Sequence, residues 1–269
     1  MKKTAILSAM TLALVSTSIL TASANQSLND QIAFRIGPFL PSIDTTVTIG
    51  NETQNFEDYL DDSTTTFAIK GIWRFSKHFR LNFGYWNVDR DESAATDEPH
   101  NIAGIPIPVG TSLTATFDSS LANANLGWSF ISNESTEFGA DLGLAALGLK
   151  SELAASVPGI GTVASYTAFD ETYVLPIIGL YWDQALSPMW SMGLRVSGMG
   201  LDLGDDFKGN IIDAMAAIEL RPWENVGFGA AYLYNDADAE LKNVGNGLDV
   251  EWNYSGPFAY IVIGGGNKN

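Results

Sequence analysis

Beyond the first two dozen residues, apolar and polar side chains alternate along most of the chain, a period of two that belongs to β-strands with unlike faces. Phe67, Ile69, Trp73 and Phe75 share one face and Ala68, Lys70 and Arg74 the other; Phe79, Leu81, Phe83 and Tyr85 oppose Arg80, Asn82 and Gly84. Ala122, Ala124, Leu126, Trp128 and Phe130 oppose Asn123, Asn125 and Ser129, and Phe138, Ala140, Leu142 and Leu144 oppose Glu137, Gly139, Asp141 and Gly143. Trp190, Met192, Leu194 and Val196 stand against Ser191, Gly193, Arg195 and Ser197. Ile212, Ala214, Ala216 and Ile218 stand against Asp213, Met215, Ala217 and Glu219. Val226, Phe228, Ala230, Tyr232 and Tyr234 line one face of a further strand. In the last strand Val250, Trp252, Tyr254, Phe258, Tyr260 and Val262 read as the apolar face, against Asp249, Glu251, Asn253 and Ser255. Residues 173–182 are apolar on both faces and give no orientation.

The connections alternate in length. Ser76-Lys77-His78, Ser132-Asn133-Glu134-Ser135, Ala185-Leu186-Ser187-Pro188 and Arg221-Pro222-Trp223-Glu224-Asn225 are short turns. Between them lie longer polar connections centred on 51–63, 91–110, 156–165, 202–209 and 237–247. About ten strands with short turns at one end and long loops at the other predict an all-β, up-and-down antiparallel transmembrane β-barrel, with eight or twelve strands as alternatives.

Alternation alone does not say which face is wet, and a soluble barrel reverses the arrangement. Aromatic placement favours lipid outside. Trp73, Trp128, Trp182, Trp190 and Trp223, with Phe75, Phe79, Phe130 and Phe138, gather beside the short turns. Tyr85, Trp86, Phe117, Phe169, Tyr234, Trp252 and Tyr254 gather near the opposite ends, so two aromatic girdles bracket an Ala, Leu, Ile and Val band.

The start of the chain changes the picture further. Met1-Lys2-Lys3, a short apolar stretch to Leu20 and then Thr21-Ala22-Ser23-Ala24 have the form of a secretory signal, which predicts a signal peptide over 1–24 and a barrel over 25–269. Its removal takes two lysines and no acid, leaving 12 basic against 31 acidic residues, a net charge of −19. So acidic a chain is ill suited to nucleic-acid phosphates, and its natural partners are cations. With no cysteine, no disulfide framework braces it.

Four segments carry a family resemblance: FRIGPFLPSIDTTVTI from Phe34, WRFSKHFRLNFGYWNVDR from Trp73, LPIIGLYWDQALSPMWSMGLR from Leu175 and IELRPWENVGFGAAYLY from Ile218. They resemble a family of bacterial outer-membrane β-barrel proteins, broadly similar to small barrels of the outer-membrane protein A and W type. The resemblance implies fold and an outer-membrane location in a Gram-negative cell envelope. Its strand–turn–strand segments carry no catalytic motif, and no cofactor is expected.

The polar face supplies the candidate chemistry. Arg35, Lys70, Arg74 and Arg80 come from the first strands, and Glu137, Asp141, Asp213, Glu219 and Glu251 from later ones with Arg195 among them. Opposite charges on opposite walls predict a polar, ion-paired lumen, because ten strands enclose little more than side chains can fill. A narrow porin-like channel for small solutes is the alternative. The acid clusters Asp61-Asp62, Asp202/Asp205/Asp206 and Asp236/Asp238/Glu240 suit divalent cations that bridge to outer-leaflet lipid in the bilayer. A surface hydrolase is a second alternative, since His100 lies near Asp91, Asp97 and Glu98, whereas His78 falls in a short turn. The expectation is a barrel without enzymatic activity.

Overall fold

An unpaired strand edge invites pairing with another chain, and this chain pairs its own edges. In a computed structural model the chain is described over residues 25–49, 52–55, 64–95, 100–102, 105–107, 109–157, 161–202, 207–241 and 248–267. The expected signal segment, Asp61, Asp62, Asp97, Glu98, Asp205, Asp206 and the His100 side chain lie outside these residues.

A short helix α1 (Gln26–Asn29) leads into β1 (Asp30–Phe39), β2 (Ser42–Ile49), β3 (Glu52–Asn55), β4 (Thr66–Arg74) and β5 (Phe79–Ala95). A small separate hairpin follows, β6 (His100–Ile102) and β7 (Ile105–Ile107). Then come β8 (Ser112–Ser132), β9 (Thr136–Val157), β10 (Gly161–Ala185), β11 (Trp190–Asp202), β12 (Phe207–Leu220), β13 (Val226–Leu241) and β14 (Leu248–Asn267). Ten of these form the ring, in the order β1-β4-β5-β8-β9-β10-β11-β12-β13-β14, and β1 pairs antiparallel with β14 to close it. β1 ends before Leu40-Pro41. From Ser42 onward β2 takes over the free edge of β14, with Ile43 opposite Tyr254 and Ile49 opposite Leu248, and folds back on β3.

The outward face is apolar. Leu142 is 63% exposed and Ile178 59%, values that only hydrocarbon would tolerate over a continuous belt. At the turn end the aromatic girdle is present as expected, with Trp73 and Phe75 centroids 5.6 Å apart, Trp128 and Phe130 5.1 Å and Trp223 and Phe228 5.9 Å.

Three expectations are corrected. First, the apolar face of the last strand points inward: Trp252, Tyr254, Phe258, Tyr260 and Val262 are buried, while Ile261 and Ile263 face out. Second, the loop-end girdle loses Trp86, Trp252 and Tyr254 to the interior, where Trp86 packs edge-on to Tyr254 at 5.0 Å and to Phe39 at 6.0 Å. Exposed Phe67, Tyr85 and Tyr232 remain outside, and the side chains of Phe117 and Phe169 lie outside the described residues. Third, much of what reads as loop is strand. β8, β9 and β10 run 21, 22 and 25 residues, against about 9–11 needed to cross a bilayer. Their distal halves extend the wall well past the apolar belt. In the ambiguous stretch, Leu175, Ile177 and Tyr181 face inward and Ile178 and Leu180 outward.

The interior is thus divided in height. The half nearer the loops is an apolar core of Phe39, Trp86, Leu147, Leu175, Ile211, Leu233 and Tyr254. The half nearer the turns is ionic.

Candidate functional site: the ionic floor of the barrel

Inward positions on neighbouring strands lie side by side, so residues of like height in the turn-end half converge across the lumen. Arg74 Nε on β4 lies 2.7 Å from Glu137 Oε2 on β9. Arg80 Nη1 on β5 is 2.7 Å from Asp183 Oδ2 on β10 and 3.5 Å from Glu137 Oε1. The Arg80 guanidinium also stacks 3.3 Å from the centre of the Tyr181 ring. That ring occupies space left by Gly139, where a Cβ would stand 2.4 Å from the Tyr181 hydroxyl and 2.2 Å from the Trp128 carbonyl oxygen. Any side chain at residue 139 would displace the ring.

A second group lies under β1 and β12. Glu219 receives Arg35 Nε at 2.9 Å, Arg221 Nε at 2.9 Å and the Ser27 hydroxyl at 2.7 Å. Arg221 also pairs with Asp30. Above them Asp141 is held by Arg195 Nη2 at 3.1 Å and by the side-chain amides of Asn82 at 3.0 Å and Asn125 at 3.1 Å. The α1 segment seals the turn-end mouth. Asn25 caps the helix through its side-chain oxygen, and its amide donates to the Ser187 and Trp190 carbonyls at 2.6 and 3.0 Å. Leu28 fills the space inside, 1% exposed.

Of the ten charges read from the sequence, Arg35, Arg74, Arg80, Glu137, Asp141, Arg195 and Glu219 meet in this network. Lys70 and Asp213 face inward and form no ion pair among the described residues, and Asp213 Oδ1 lacks a hydrogen bond. Glu251 is a correction: it shares the outward face of β14 with Ile261, because the inward face of that strand belongs to Trp252 and Tyr254. Sequence reasoning missed Asp30, Asp183 and Arg221. Arg221 continues the inward parity of Glu219, a signal hidden by the neighbouring Pro222. Asp183 follows a stretch with no polar face.

His78 is exposed in a short turn, its Nδ1 3.0 Å from the Ser129 carbonyl oxygen. A cavity of about 50 Å³ lies in the floor. That volume holds a few water molecules.

Outside, beyond the apolar belt, acids line up across strands. Asp89, Asp118, Lys150 and Asp170 form one row over β5, β8, β9 and β10, with Asp91 and Glu152 in the row above. Partial burial raises the Asp118 carboxyl above its usual range, Asp89 directly opposite raises it further, and Lys150 pulls it back. A carboxyl raised on folding contributes stability below its unfolded pKa and loses it as pH rises through the folded value. Asp118→Asn should therefore stabilise the protein at neutral pH by roughly 0.2–1 kcal/mol, less in high salt, and by nothing near pH 3. Urea unfolding at both pH values tests this; an equal gain at pH 3 would assign the effect to something other than charge.

No protein-family model and no curated protein matches this chain. Among solved structures it is similar to the outer membrane protease OmpT from Escherichia coli, at 12% identity over 93% of this chain and 100% of that one, with a TM-score of 0.54. The fold is that of an outer-membrane β-barrel. Two further barrels align more loosely: the toluene transporter TodX of Pseudomonas putida and OprG from Pseudomonas aeruginosa. TodX shows 8% identity over 92% and 94% of the chains at a TM-score of 0.35, and OprG 12% over 87% and 96% at 0.36.

Proposed function

We propose that this chain is an integral outer-membrane barrel without enzymatic activity, a closed pedestal that holds an acidic wall of extended strands outside the bilayer. The observation that carries this reading is the two-level closure of the lumen. An ion-paired floor sealed by α1 lies beneath a packed core in which Phe39, Trp86, Tyr254 and Phe258 are each no more than 4% exposed. Likeness to a protease at 12% identity brings architecture and not chemistry.

The partner best suited to the acidic rows is outer-leaflet lipid, bridged by divalent cations. Among the described residues no group of three or more acidic or histidine side chains converges on one point, so lipid phosphates would complete the coordination. On this reading the stabilisation by Asp118→Asn shrinks in phosphate-rich lipid with magnesium.

Planar-bilayer recording of the purified, refolded protein tests the closed-pedestal reading. The expected trace is flat over a range of voltages, with a known porin as positive control. Reproducible conductance steps would reverse the conclusion in favour of a narrow channel.

A further inference from the structure

The cavity in the floor is bordered by unlike groups, and the imbalance among them is informative. Arg35, Lys70, Arg74, Arg80 and Arg195 line it from four strands, with Asp183 and Glu219 as the carboxylates. Both carboxylates are engaged, Asp183 by Arg80 and Glu219 by Arg35 and Arg221. Among the described residues Arg80 Nε and Arg195 Nε make no hydrogen bond and Lys70 forms no ion pair, and these groups are donors. Arg80 is 97% buried. The other unpaired charge of the interior, Asp213, does not line the cavity. It stands behind, in register with Ser197 and Asn235 on the neighbouring strands, and acts on Lys70 only at a distance.

A partly buried ammonium and buried guanidinium N–H groups without acceptors carry a desolvation cost. Water can offset part of that cost, but water answers a positive wall with a dipole where an anion answers it with a full charge. The space excludes a bulky anion: about 50 Å³ takes a few water-sized groups. We infer that the cavity is a binding site for one small inorganic anion of chloride's size, held by Lys70 with Arg80 and Arg195 around it. The anion enters during folding, before α1 seals the mouth beneath.

The test is refolding of the full mature chain into vesicles in sodium chloride and, at equal ionic strength, in sodium gluconate, followed by urea unfolding in the same salts. Chloride should stabilise the barrel relative to gluconate, and at about 100 times its dissociation constant the folded-to-unfolded ratio should rise about 100-fold. Lys70→Met keeps the length of the side chain and removes the charge, so it should abolish the chloride increment. Its absolute stability is not the readout, because removing an unpaired, partly buried charge alters that too. Broadening of the chloride-35 resonance by the wild-type protein, reversed by bromide, provides a measurement that survives if the variant fails to fold. Equal unfolding midpoints in the two salts, or no line broadening, would mean that the cavity holds water alone. A chloride increment undiminished in Lys70→Met would place the anion elsewhere.

Discussion

Replacing both Arg74 and Arg80 by glutamine should lower the folding stability of the barrel by roughly 3–5 kcal/mol, the usual loss when one side of a buried ion pair is removed. Glu137, 1% exposed, would keep the Ser129 hydroxyl at 2.8 Å, and Asp183 would lose its ion pair with Arg80. The two substitutions share Glu137, so their effects should not add. As a comparison, Glu152→Gln breaks an exposed contact with Lys150 at 3.6 Å and should change stability by less than about 1 kcal/mol. Urea unfolding in lipid vesicles measures both. If the double variant matched the wild type, the floor would have to be hydrated well enough to screen its charges. The variant should remain electrically silent even when destabilised, because Phe39, Trp86 and Tyr254 still fill the lumen above.

The second large effect concerns the other face. Leu126 is 53% exposed on the outward side of β8, between Trp128 at the turn-end girdle and Ala122 opposite Tyr85. Leu126→Arg should cost about 2–4 kcal/mol of folding into bilayers, the penalty for a charge near the hydrocarbon midplane. Glu134→Arg, in the exposed turn below, should stay within about 0.5 kcal/mol. Folding titrations in vesicles compare the two directly. A Leu126→Arg barrel that folds as readily as the turn variant would remove the argument that this surface faces lipid.

The sequence makes the lower half of the barrel legible for a physical reason. There Arg74, Arg80, Glu137, Asp141, Arg195 and Glu219 alternate with large apolar residues, and a charge opposite a hydrophobe leaves one choice of face. In the upper half that contrast vanishes. On β14 it is missing even near the turns, where Ile261 and Ile263 stand against Tyr260 and Val262, and the larger side chains went inward because a lumen of this width must be filled. Trp86 was open to correction from parity alone: it adjoins Tyr85 in the same strand, and neighbours in a strand cannot share a face. The distal halves of β8 to β10 escape a search for unlike faces because polar Ser and Thr occur among their outward positions, as at Thr114, Thr116 and Thr172. The unpaired standing of Lys70 and Asp213 had no sequence signal, since it depends on how every other charge is matched.

The floor also joins distant parts of the chain. Asn25 reaches Ser187, Ser27 reaches Glu219 and Arg35 reaches Glu219, contacts that span 162, 192 and 184 residues. Arg221 with Glu219 and Ser129 with Glu137 are local. Contacts of such long range come after the loop-closure entropy of the whole intervening chain has been met. Nothing near the N-terminus can settle into the floor until β10 to β12 stand in place, so the segment synthesised first is docked among the last. The seam between β1 and β14 and the charge network under α1 therefore form as one cooperative event, and a barrel caught before it has both an unzipped edge and unanswered carboxylates.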